Sequence, residues 1–162
     1  MKVLLLSPGY PGDMPQFARG LAEVGATVLG VGDQHPAAIP EPARSALSDY
    51  LQVRNLWDEA AVSEAVRAWV GDAIPDRVEC LWEPGGLLAA RLRETLGVPG
   101  LSYQQALAFR NKETMKQVLD EAGIRTPRHV AATTEGGEGC GIGREPADVA
   151  DQSIERDPER PA

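Results

Sequence analysis

Apolar runs and amphipathic stretches alternate along the chain from Lys2 to about His129. Val3 to Leu6 is continuously apolar, the pattern of a strand buried on both faces. After a Pro/Gly loop, Met14, Phe17, Leu21 and Val24 recur at helical spacing, which predicts a helix with those four inward and Gly25 at its end. Thr27 to Val31 reads as a second strand. Tyr50 to Val53 reads as a third, entered from a loop rich in proline (Pro36, Pro40, Pro42). Asp58 then caps a helix whose inner face is Val62, Ala65, Val66, Trp69 and Val70. Val78 to Trp82 is the fourth strand, and Leu88, Leu92 and Leu96 mark the next helix, stopped by Gly97. Val98 to Leu101 is short and extended, and Ser102 starts a helical turn before Arg110. Asn111 caps a final helix with Met115, Val118, Leu119 and Ala122 on one face, Gly123 as its left-handed stop and Pro127 beyond.

Strands and helices joined this closely imply parallel strands with right-handed crossovers, hence a three-layer α/β domain of Rossmann-like form. Ligands of such sheets gather beyond the carboxyl ends of the strands, which directs attention to loops 7–13, 32–36 and 83–86. From Thr133 the pattern stops. Residues 133–162 contain only Ile142, Val149 and Ile154 as large aliphatics and show neither period, so a disordered tail is expected there. Two origins account for it: a functional flexible tail, or an out-of-frame read-through that ends an originally longer protein. The abrupt change of character favours the second, and the gene sequence in the other frames tests it.

Composition narrows the partners. The chain has 162 residues, room for one domain and a tail, and is 43% hydrophobic with only 5% aromatic residues, so its core is expected to be mostly Leu, Val and Ala. Net charge is −8, with eight acidic against three basic residues in the last thirty. No basic patch interleaved with aromatics occurs, which argues against nucleic acid as a partner, and the acidic balance argues against an anionic membrane surface. Cys80 and Cys140 stand far apart in unlike contexts, which suggests a reducing compartment. No apolar run reaches membrane-spanning length, and Lys2 to Leu6 is too short for a signal segment; the expectation is a cytoplasmic protein.

Several segments carry candidate chemistry. Ser7-Pro8-Gly9-Tyr10-Pro11-Gly12-Asp13 follows the first strand and opens a helix; its glycines allow close backbone approach and the helix start favours an anion. Gly9 and Gly12 do not fit a dinucleotide fingerprint, which needs a third glycine and fewer prolines. Asp33 imitates the ribose-binding acid of such folds, but a tight turn at Gly32-Asp33 explains it as well. Trp82-Glu83-Pro84-Gly85-Gly86 puts a carboxylate at the ligand edge, where it can hold an amine or hydroxyl or simply make the turn. Gly139-Cys140-Gly141-Ile142-Gly143 has the composition of a phosphate loop without a strand before it or a helix after it, and is rejected as a site. His35 and His129 lack partners at ligand spacing, so no metal site is expected. There is no Gly-x-Ser-x-Gly elbow.

Lys112 is the odd residue. It lies in the first turn of a helix, where the macrodipole disfavours a cation, unless lysine and helix start jointly hold an anion. Val98-Pro-Gly-Leu-Ser102, Phe109-Arg-Asn-Lys112 and Ala122-Gly-Ile-Arg-Thr-Pro127 together resemble the entry to the nucleotide-binding part of the ATP-grasp ligases, such as biotin carboxylase, D-alanine–D-alanine ligase and the carbamoyl-phosphate synthetase large chain. The resemblance covers residues 1–130. It implies a pre-ATP-grasp Rossmann-like domain over 1–108, the start of the ATP-grasp region over 109–132, and the aberrant tail over 133–162. Members of that family use ATP and magnesium to phosphorylate a small-molecule carboxylate, which an amine, thiol or similar nucleophile then attacks. The resemblance implies that Lys112 touches the nucleotide phosphates, and an acid recurs in that family near the place of Glu83, in the domain that helps hold the non-nucleotide substrate; Gly9, Tyr10, Gly12 and Gly85 are the further candidate substrate contacts offered by the two loops. The family's second nucleotide lysine, its glycine-rich phosphate lid and its Glu/Asn magnesium pair are missing. The expectation is therefore a truncated, inactive portion that binds no cofactor tightly, with catalytic residues unassigned and a homodimer left open. The alternative is a non-catalytic Rossmann-like binding or regulatory module; an NAD-dependent oxidoreductase is disfavoured by the absent third glycine.

Overall fold

The computed structural model describes residues 1–127. The segment read as a tail, with Cys140 and Gly139 to Gly143, lies outside those residues, as does His129. The described chain forms β1 (Lys2–Leu6), α1 (Met14–Glu23), β2 (Thr27–Gly32), α2 (Glu41–Ala46), β3 (Leu47–Gln52), α3 (Glu59–Val70), β4 (Arg77–Glu79), α4 (Gly86–Leu96), α5 (Tyr103–Arg110) and α6 (Lys112–Glu121). Single 3-10 turns at Pro36–Ala38 and Glu83–Gly85 interrupt two of the loops. The four strands make one parallel sheet in the order β3-β2-β1-β4.

Alternation along β1 divides the core, because successive side chains of a strand point to opposite faces. Leu4 and Leu6 join Val31 and Val78 under Val62 and Val66 of α3 and Leu88 and Leu92 of α4. Leu5 points the other way, with Val28, to meet Met14 and Ala18 of α1 and Ala43 of α2. The result is the expected three-layer α/β domain with a buried parallel sheet. Leu4, Leu5, Val66 and Leu92 are each 0% exposed.

Four local expectations need correction. The buried stripe of α1 is Met14, Pro15 and Ala18, backed by Leu21 and Ala22, while Phe17 and Val24 are 49% and 78% exposed. The helix is rotated so that small Ala18 allows close approach to α2, and the larger pair falls off the stripe's edge. The proline-rich loop contains α2, too short at six residues to show a period, with Pro42 in its first turn where a missing N–H costs nothing. That helix feeds β3 directly, so the strand starts at Leu47 rather than Tyr50. In turn β4 stops at Glu79, since the chain bends at Cys80, whose Sγ donates to the Trp82 carbonyl at 3.1 Å.

The caps follow the sequence more closely. Asp58 accepts from Ala61 N at 3.1 Å. Ser102 and Gln105 form a reciprocal capping box at the start of α5. Gly123, at φ 69°, closes α6 with Gly123 N donating to Asp120 O and Ile124 N to Leu119 O, the paired bonds of a Schellman stop. Neither α5 nor α6 contains a buried residue.

Edge strand β3 is held by side chains as well as by its ladder. The Tyr50 ring lies across Gly30 and Gly32 of β2, and its hydroxyl donates to the Gln34 carbonyl at 2.9 Å. Asp49 accepts from Tyr50 N at 2.7 Å through one oxygen and from Trp69 Nε1 at 3.3 Å through the other. Burial, and secondarily the Asp33 carboxylate, push the Tyr50 hydroxyl up to about 12. An unfolded tyrosine titrates near pH 10, so neither state ionises below that value. Between about pH 10 and 12 the unfolded chain releases this proton and the native one does not, and stability falls as pH rises. Urea midpoints measured across this window should drop less steeply in Tyr50→Phe, which keeps the ring and removes the proton. Parallel slopes in the two proteins would refute the assignment.

Candidate functional site

In a sheet ordered β3-β2-β1-β4 the winding reverses between β1 and β4, and a crevice opens beyond their carboxyl ends. The loop leaving β1 starts from Ser7, a buried residue in the left-handed region at φ 49°. That conformation is uncommon for a non-glycine residue and is held here by three bonds. Ser7 N donates to Val31 O at 2.8 Å, Ser7 Oγ to Tyr10 O at 2.7 Å, and Tyr10 N to Ser7 O at 3.2 Å. The Tyr10 side chain beyond this turn is exposed, and the Tyr10–Pro11 peptide bond is cis.

The glycines expected at this site have unequal surroundings. A Cβ at Gly9 would sit 2.1 Å from Gln34 Oε1 and 3.2 Å from Pro40 Cδ, so its close backbone approach is to the loop after β2. Gly85 is buried, and a Cβ there would lie 2.5 Å from Cys80 Sγ. Both are accounted for by packing within the chain. Gly12 alone faces open space. Asp33 is exposed at the end of β2.

The loop after β4 turns through Trp82 into Glu83–Gly85, with Gly85 N donating to Trp82 O at 3.0 Å. The Glu83 carboxylate is paired with the Arg110 guanidinium at the end of α5. The pair is largely solvated, with 70% and 41% of the side chains exposed, so it orients the carboxylate more than it stabilises the fold. A cleft of about 300 Å³ opens beside it, lined by Cys80, Glu83, Leu87, Arg93, Leu101 and Phe109. Arg93 is fixed in its wall, with Nε donating to Val78 O at 2.8 Å and a terminal nitrogen to Glu79 Oε2 at 2.9 Å. Burial pushes the Cys80 thiol up, which disfavours the thiolate.

Lys112 is exposed at the first position of α6, two residues beyond Arg110. Asn111 Oδ1 already accepts from Glu113 N at 2.9 Å and Thr114 N at 3.2 Å. The side-chain cap therefore occupies two of the N–H groups that an anion at this helix start would use. The structure thus links Glu83 to the approach to Lys112 through Arg110, and brings Tyr10 to the Glu83 loop.

That last meeting joins Tyr10 and Trp82, both within the motifs singled out above, to Trp57, which no sequence motif marks. Trp82 meets Tyr10 edge-on, with ring centroids 5.2 Å apart at 90°, and Trp57 at 5.3 Å and 60°. Trp57 comes from the loop after β3, where Asn55 Oδ1 accepts its backbone N–H at 3.0 Å. A signal was available: each ring follows the carboxyl end of its strand by a few residues, in a chain otherwise poor in aromatics. Among the described residues no group of three or more His, Cys, Asp or Glu is placed to hold a metal ion, and no helix is long and apolar enough to cross a membrane.

No protein-family profile and no curated protein sequence matches the chain. Solved structures do. An L-amino acid ligase from Bacillus licheniformis superposes with a TM-score of 0.61 at 23% identity, over 78% of this chain and 31% of its own. Phosphoribosylglycinamide synthetase from Anaerococcus prevotii gives 0.62 at 17% identity, over 83% of this chain and 32% of its own. An ADP complex of N5-carboxyaminoimidazole ribonucleotide synthetase gives 0.51 at 16%, over 75% and 29%. The chain thus spans about a third of the length of the structures it matches. Residues 1–127 carry a fold found in ATP-grasp ligases.

Proposed function

We propose that residues 1–108 act as the substrate-side domain, and residues 109–132 as the entry to the nucleotide site, of a cytoplasmic ATP-dependent ligase joining a small-molecule carboxylate to an amine or thiol. The observation that carries this reading is the fold shared with three ligases and synthetases, one of them in complex with ADP. A free carboxylate is a poor electrophile, and ATP with magnesium supplies the phosphoryl group that turns it into an acyl phosphate. Within this chain Lys112 would meet nucleotide phosphate as a point charge. The 7–13 loop, with Gly9, Tyr10 and Gly12, and the 83–85 turn would hold the carboxylate substrate. The described residues offer a lysine for phosphate and no carboxylate cluster for magnesium, so the chain alone is proposed to be inactive and to hold nucleotide loosely. A second reading, a non-catalytic Rossmann-like binding module, is favoured by the self-satisfied groups at the site: Glu83 engaged by Arg110, and the α6 start capped by Asn111.

Calorimetry with MgATP tests the two. A single exposed lysine–phosphate contact resembles a surface ion pair worth about 0–1 kcal/mol. Binding should appear only at millimolar nucleotide, with little thermal stabilisation, and should weaken in Lys112→Ala. Lys112-independent behaviour favours the module. Micromolar binding that depends on Lys112 would overturn the idea of an incomplete site.

A further inference from the structure

Aromatic residues make up 5% of the chain, yet the loops after β1, β3 and β4 each deliver one to the same place. We infer that Tyr10, Trp57 and Trp82 form a platform for an organic cation, the ammonium-type group of a small ligand. Tyr10 and Trp57 are 53% and 52% exposed. Rings serving only to pack the loops would gain most by burial, and these leave large apolar faces in water. An aromatic face carries negative charge density and attracts a cation placed over it, tryptophan most strongly.

The surroundings choose among ligand classes. Asp58 follows Trp57, Glu83 follows Trp82, and Asp13 closes the loop that contains Tyr10. Asp13 makes no side-chain cap bond to α1. Opposing them are Arg54, near the end of β3, and Arg110, which is engaged with Glu83. Carboxylates next in sequence to the rings, Asp58 among them although it also caps α3, make the surroundings unfavourable for an anion and give a neutral ring no advantage, whereas they favour a cation. The inference rests on the ligase reading only for assigning that cation to the ligase's substrate; the ring platform stands on its own geometry.

Tryptophan fluorescence reads the platform directly, because Trp57 and Trp82 are two of the three tryptophans and Trp69 is engaged elsewhere, with Asp49. The purified chain would be titrated with tetramethylammonium chloride, against sodium chloride at equal ionic strength and against tert-butanol as a neutral isostere. A saturable change with a millimolar midpoint is expected for tetramethylammonium alone. Removing one ring, in Trp57→Leu or Tyr10→Leu, should raise the midpoint roughly three- to tenfold. Trp57→Phe and Tyr10→Phe keep the packing if the leucine variants unfold; Trp57→Phe should raise it about two- to threefold. Trp69→Phe should leave it unchanged. A linear response, an equal response to tert-butanol, or indifference to all ring substitutions would overturn the inference. Cation binding by a chain that shows no Lys112-dependent nucleotide response would count against the ligase reading and leave the platform in place.

Discussion

Replacing Leu5 with alanine should destabilise the folded unit by about 2–5 kcal/mol. Leu5 lies in a central strand paired to β2 and β4, is 0% exposed, and fills the space between Met14, Val28 and Ile39. The ladder on both sides holds its backbone, so neighbouring side chains can only partly collapse into the gap. That residual cavity adds to the lost transfer energy. Urea unfolding should show a lowered midpoint at an unchanged slope. Phe17→Ala provides the contrast. The ring is larger but 49% exposed, and its loss should cost much less than that of Leu5. If Phe17→Ala proved the more damaging change, the orientation of α1 would be wrong.

Gly30→Ala should cost about 1–3 kcal/mol even though it adds only one methyl group. A Cβ at Gly30 would stand 2.9 Å from Tyr50 Cδ2 and 3.0–3.1 Å from the Leu47 methyls. Leu47 can change rotamer, but the Tyr50 ring is anchored at its far end by the bond to Gln34 O. Alanine is compatible with the backbone in this strand, so the penalty isolates the lack of space. Shrinking the obstacle should relieve it: in Tyr50→Leu the added cost of Gly30→Ala should fall, a non-additivity that a double-mutant cycle measures. Strict additivity would show that the ring does not limit this position.

The sequence was legible wherever one physical signal acted alone. Leu4 and Leu5 were readable as core because a short, continuous apolar run between turn residues suits a strand covered on both faces. Asp58, Ser102, Asn111 and Gly123 were readable because caps are local chemistry. It was less legible where two signals overlapped. Phe17 outweighs Ala18 in any hydrophobicity pattern, yet the small residue is the buried one, in the cluster with Leu5, Val28 and Ala43 of α2, where it permits close approach to that helix. Proline in the 36–42 segment suggested a loop, when Pro42 was in the first turn of α2. At the site, Glu83 was visible as a carboxylate at the right edge, but its partner is Arg110, distant in sequence, and no local pattern reports that pairing. Trp82 is legible as a strand end and the start of the Glu83 turn, while nothing local marks Trp57. Their convergence depends on the sheet order, which alternation alone does not specify.

The Asp49 carboxylate has a bearing on how copies of this chain behave when crowded. An outer strand with unpaired N–H groups is a template onto which another chain can add. In β3 one such donor, Tyr50 N, is consumed by the neighbouring carboxylate, whose second oxygen is tethered to Trp69. An incoming strand would have to displace that internal bond and accept a negative charge beside its own backbone. The opposite margin, β4, is three residues long and begins and ends with the charged Arg77 and Glu79, too brief to hold a foreign strand in register. Removing the guard with Asp49→Ala would expose the template, and aggregation from β3 is the failure this arrangement prevents.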